Sequence, residues 1–140
     1  VNQKSYLIIL LFLGFYSCEH FSQKDYFDNI VYKAYNTRYD GLVVEKYIDA
    51  KDHNRNILVI ENNLFGKNKT DFTFQSLRLF DFINIGDTIF KERKSITLNI
   101  KRVGLDTLIN LDFGNIKGHE EYYWENPYLN KEKTKDSLNQ

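Results

Sequence analysis

This chain reads as a mainly β domain, a small antiparallel barrel or sandwich of about five to six strands with one N-terminal α-helix. Three observations predict that class. Phe and Tyr are abundant, 11 and 10 in 140 residues, while Pro occurs once and Met not at all, and aromatic enrichment favours sheet. Several short segments alternate apolar and polar residues with a period of two, and a single segment near the N-terminus repeats at 3.6.

The chain opens on an apolar run, Tyr6 to Tyr16, preceded by Lys4 and followed by Ser17 and Cys18, the only cysteine. A helix that crosses a bilayer needs roughly 20 apolar residues, whereas a signal-peptide core needs about 7 to 15. The run therefore predicts a leader over residues 1–17. Phe15-Tyr16-Ser17-Cys18 resembles the lipobox of bacterial lipoproteins, although Phe15 and Tyr16 are bulkier than the residues usual there. That resemblance implies a diacylated, amino-acylated Cys18, with palmitate-type chains holding the protein on the membrane. More than one acyl chain is what stable anchoring requires. The expected location is the cell envelope, facing the periplasm or the exterior.

Residues 18–38 should form a lipid-anchored N-terminal helix. From Tyr26 onward, Phe27, Ile30, Val31, Ala34 and Tyr35 trace one helical face, and Ser22 stands three before Asp25 in a capping-box arrangement. The helix is read from Ser22.

Residues 39–118 carry the sheet. Gly41 to Ile48 is β-branched and aromatic between turn residues and reads as a strand. Asp49 to Asn54 is a polar turn, and Arg55 to Glu61 returns as the second arm of a hairpin. Asn62 to Thr70 reads as a loop, rich in Asn, Lys and Gly. Asp71 to Gln75 alternates as a half-buried strand would. Ser76 to Ile85 is a short helical turn or irregular crossover. Gly86-Asp87 breaks it, Thr88 to Lys91 is a short strand, and Glu92 to Ser95 is a charged turn.

Ile96 to Arg102 alternates cleanly, with Ile96, Leu98 and Ile100 on one face and Thr97, Asn99 and Lys101 on the other. After a turn at Val103 to Asp106, Thr107 to Phe113 alternates again, placing Thr107, Ile109, Leu111 and Phe113 opposite Leu108, Asn110 and Asp112. These two should form a hairpin. Residues 119–140 make a tail, aromatic to Tyr128 and then polar; its first part should cover an open end of a barrel and its last part should be mobile.

Charge excludes one class of partner. Lys plus Arg and Asp plus Glu stand at 19 each, and a nucleic-acid binder needs a domain-scale basic surface. No cofactor is implied. His20, His53 and His119 lack the spacing of a zinc site, the glycines stand singly rather than in a phosphate-binding loop, and Ser76, Ser95 and Ser137 lack a nucleophile elbow. Asp81 with Asp87, and Glu120 with Glu121, are carboxylate pairs in sequence only. The chain therefore reads as no enzyme. The candidate binding surface is Tyr122, Tyr123, Trp124 and Tyr128, because Tyr and Trp are enriched at hot spots; core packing is the plainer reading of the same residues.

Gly86, Asp87, Thr88, Ile89, Lys91 and Ser95, with Gly41, Tyr47, Ile48 and His53 before them, resemble a pattern in small bacterial lipoproteins of unknown function. The resemblance implies a shared fold and no activity. The expected role is a non-enzymatic interaction or structural one on the envelope, with the membrane and an envelope protein or glycan as partners. The alternatives are a ligand- or glycan-binding module, and an inhibitor or immunity protein against an envelope-targeting enzyme.

Overall fold

A computed structural model describes residues 22–129. The leader, Cys18, His20 and the polar end of the tail lie outside the described residues. The first element is α1, Gln23–Asn36, and its start is fixed by the expected capping box. Ser22 Oγ accepts from the Asp25 amide at 3.1 Å, and the Asp25 carboxylate accepts from the Ser22 amide at 3.0 Å. Two otherwise orphan donors are thereby satisfied. Phe27 and Val31 are fully buried, with Ile30 and Ala34 packed beside them, as the 3.6-residue period requires.

Six strands follow: β1 Tyr39–Asp49, β2 Arg55–Asn62, β3 Gly66–Asp71, β4 Thr88–Lys91, β5 Thr97–Arg102 and β6 Leu105–Asn110. Every neighbouring pair is antiparallel, and the spatial order is β3-β2-β1-β4-β5-β6 in one sheet. The sheet is not closed into a barrel: β3 and β6 are its two edges. Its apolar face is sealed by α1 instead. Phe27 and Val31 meet Val43, Leu58, Ile60, Ile89, Leu98 and Ile100 in a single core cluster, so a helix fills the space that strand closure would have filled.

The β1–β2 and β5–β6 hairpins both form, with the inward faces that the alternation predicts, but β6 runs Leu105–Asn110 rather than Thr107 to Phe113: Leu105 and Asp106, read as turn, pair with Arg102 and Lys101. Ile96, Leu98 and Ile100 are each at most 1% exposed, while Leu108, on the opposite face of its strand, is 68% exposed. The residues read as a crossover contain α2, Leu77–Phe82, capped by Ser76.

Two segments differ from expectation. Residues 66–70, read as loop, form β3 together with Asp71, because their polar backbone pairs with β2 from Asn62↔Gly66 to Ile57↔Asp71. Residues 72–75, read as strand, are a turn. The Asp71 carboxylate accepts from the Thr73 amide at 2.8 Å, the Gln75 amide donates to the Phe72 carbonyl at 3.0 Å, and Phe72 is buried from that turn. Alternation there reflects two aromatics reaching the core from an irregular segment.

The tail forms α3, His119–Tyr123. It packs on α1 rather than over a barrel end. Tyr122 lies 6.0 Å from Phe27, centroid to centroid, and Tyr128 lies 4.7 Å from Tyr35. Between them Asn126 is buried, donates to Asp28 Oδ1 at 2.7 Å and accepts from the Tyr128 amide at 2.9 Å.

Candidate functional site

Where α1 runs past the edge of the sheet, it leaves a groove of about 560 Å³ against β3. Helical spacing puts Tyr26, Ile30 and Ala34 on one wall, and Lys33 stands at the rim. The other wall is β3. Register places Asn68 opposite Ile60 and Thr70 opposite Leu58, and partners in a ladder share a face, so Asn68 and Thr70 stand on the side of the sheet that α1 covers. Phe74 and Phe113 close one end.

Tyr39, the first residue of β1, lies in the wall. It is buried, its ring is 5.7 Å from that of Phe72, and the Lys91 ammonium sits 5.4 Å from it. Burial, with a smaller contribution from the Asp71 carboxylate, pushes its phenol up to about 12. It stays a neutral hydroxyl at physiological pH. Past Arg38 and Tyr39 a second hollow of about 300 Å³ is lined by Ile60, Phe65 and Arg93. Arg38 itself is paired with Asp40 at 2.8 Å. A concave apolar floor with a few polar groups at its rim, in this size range, is how ligand sites are built.

The aromatic residues singled out from the sequence are divided by the fold. Tyr122 and Tyr128 are partly buried against the core, as is Tyr123, whereas Trp124 is 60% exposed and takes Tyr123 against it edge-on at 5.8 Å. His53 and His119 stand on separate elements. His53 stands in the β1–β2 turn with its Nδ1 3.0 Å from Asp52, whose carboxyl is held below its ordinary range by that hydrogen bond. His119 opens α3 with its Nδ1 3.1 Å from the Ile116 carbonyl. Among the described residues no three His, Cys, Asp or Glu side chains gather where they could hold a metal ion.

The carboxylate pairs take different environments. Glu120 and Glu121 are both exposed in the first turn of α3, and Asp81 is exposed on α2. Asp87 is buried. It accepts from the Asn84 amide at 2.8 Å, closing the turn that Gly86 allows with φ +94°, and it pairs with Arg102 at 2.9 Å. Arg102 in turn donates to the Phe82 carbonyl at 2.6 Å, and Lys46 donates to the Ile83 carbonyl at 2.8 Å. These bonds clamp the segment from α2 to β4 onto the sheet.

The groove had no mark in the sequence. Asn68 and Thr70 lie in a run without apolar alternation, and only the pairing of β3 with β2 brings them opposite Ile30 and Ala34. No helix among the described residues is long and apolar enough to cross a membrane. No protein-family model, curated protein or solved structure matches this chain.

Proposed function

We propose that this chain is a lipid-anchored protein of the cell envelope, tethered through Cys18, that acts without catalysis by binding a partner in the groove between α1 and β3. The observation that carries the binding role is that groove: an apolar floor from Ile30, Ala34 and Phe74, polar side chains on β3, and a lysine at the rim. The tether rests on the Phe15-Tyr16-Ser17-Cys18 sequence and on the length of the apolar run before it.

Two measurements test the two halves. A palmitate analogue fed to expressing cells should label the native chain and leave Cys18→Ala unlabelled; equal labelling removes the tether. Ala34→Trp should fill the groove while leaving the far-UV spectrum unchanged, and an envelope protein retained by the native chain should be lost. Retention by Ala34→Trp would remove the groove.

Trp124 supports a second reading, in which a sugar ring stacks on its exposed face. Glycan-array binding that disappears in a folded Trp124→Ala variant would favour it over the groove.

A further inference from the structure

The groove is open along one side of a sheet edge, and the hydrogen-bond pattern says which backbone groups face out. The Phe72 amide donates to the Asn56 carbonyl at 2.8 Å. Continuing that register, Leu58↔Thr70 and Ile60↔Asn68 are the bonded pairs and Val59↔Lys69 and Glu61↔Lys67 the non-bonded ones, because the two kinds alternate in an antiparallel ladder. The N–H and C=O groups of Lys67 and Lys69 therefore turn away from β2. They face an edge where, among the described residues, no further strand pairs.

We propose that β3 receives an extended peptide segment of a partner protein as a seventh strand, with apolar side chains alternating with acidic ones. This rests on the groove reading above and names its occupant. A strand laid beside β3 points alternate side chains to the two faces of the sheet. One set enters the groove over Ile30, Ala34 and Phe74, where apolar groups are buried. The other set falls on the opposite face beside Lys67 and Lys69, whose ammonium groups sit against Glu45 at 3.8 Å and over the Tyr47 ring at 5.9 Å. Backbone bonds supply affinity and the alternate pockets supply specificity in this mode of recognition. Lysines on an edge strand normally deter a second copy from pairing. Against an acidic strand the same lysines become attractive, which selects a partner of that chemistry over self-association.

The test uses a fluorescein-labelled peptide of four Glu-Val repeats, capped at both ends, titrated with the full chain and read by anisotropy. Saturable binding is expected. A Lys-Val peptide, and a Glu-Val peptide N-methylated on alternate amides, should each bind at least about tenfold more weakly, the scale set by one or two lost hydrogen bonds or a reversed charge. Lys69→Pro removes an outward amide without touching the bonds to β2, a position where an edge strand tolerates proline. It should keep its far-UV spectrum and lose the peptide, while Lys69→Gln loses only the charge preference.

Equal binding of the N-methylated peptide overturns the proposal, whatever the fate of Lys69→Pro. So does the absence of saturation with the native chain. If no peptide binds but Ala34→Trp still loses an envelope partner, the extended strand is wrong and the groove stands; if Ala34→Trp retains that partner, the groove falls as well.

Discussion

The carboxylate of Asp87, just before β4, and the guanidinium of Arg102, at the end of β5, meet at 2.9 Å, with Asp87 only 1% exposed. A buried carboxylate that loses its cation keeps the desolvation cost without the attraction. Arg102→Ala should therefore destabilise the fold by about 2 to 4 kcal/mol, read as a lowered urea midpoint. Asp87→Asn, which retains an acceptor for the Asn84 amide, should cost less than Asp87→Ala. Equal loss in the two would show that the turn bond contributes nothing.

Gly41 approaches β2 more closely than a side chain permits. A Cβ there would lie 2.3 Å from the Glu61 carbonyl oxygen, with φ at +151°. The oxygen belongs to the backbone of β2 and cannot rotate away. Gly41→Ala should cost at least about 2 kcal/mol or prevent folding, whereas Gly104→Ala, with φ +77° and open space around it, should cost only about 1 to 2 kcal/mol for the left-handed conformation. Thermal denaturation of the two variants separates contact from strain.

Tyr39 makes stability depend on alkaline pH. Its folded pKa, about 12, lies above the ordinary 10.0, so the folded state holds a proton that the unfolded chain releases. The associated stability is complete below pH 10 and declines as pH rises through 12, by up to about 2 to 3 kcal/mol. The urea midpoint should fall between pH 9 and pH 11.5, and less steeply in Tyr39→Phe. An unchanged slope in that variant would remove Tyr39 as the cause.

At the acid end the sign reverses. Asp25 is held below its ordinary 3.8, first by the Ser22 side-chain hydrogen bond and then by the Ser22 amide. The stability it contributes is present above that value and declines as pH falls through the lowered one. Between pH 5 and pH 2, Ser22→Ala should show a shallower acid loss than the native chain in the helical circular dichroism signal.

Leu98 and Leu108 lie on neighbouring strands and face opposite ways, one fully buried and the other 68% exposed. Leu98→Ala should cost about 2 to 5 kcal/mol through the cavity it leaves, and Leu108→Ser should stay within about 0.5 kcal/mol of the native chain. Chemical denaturation of the pair reads the orientation of the β5–β6 hairpin directly.

That hairpin, the β1–β2 hairpin and α1 were legible because each advertises itself locally. Ile96, Leu98 and Ile100 alternate, and Ser22 stands three residues before Asp25; such patterns set which face is buried and where a helix begins, with no knowledge of the rest of the chain. The stretch Gly66 to Thr70 carries no such pattern. It is a strand because the exposed backbone of β2 needs a partner on its free side, a requirement that arises only when β2 is already placed. In the same way Asp87 reads as a turn residue until β5 brings Arg102 beside it.

Sequence alone determined the mainly β class, the N-terminal helix and its cap, and the inward faces of the clearest strands, since those follow from the spacing of apolar residues a few positions apart. Tertiary structure decided that the sheet stays open, that the Tyr122 and Tyr128 rings lie on α1, and that a groove forms beside β3. Each of these depends on segments far apart in the chain meeting, such as Asp28 with Asn126 at 2.7 Å, and no local period encodes which distant surface a side chain will find.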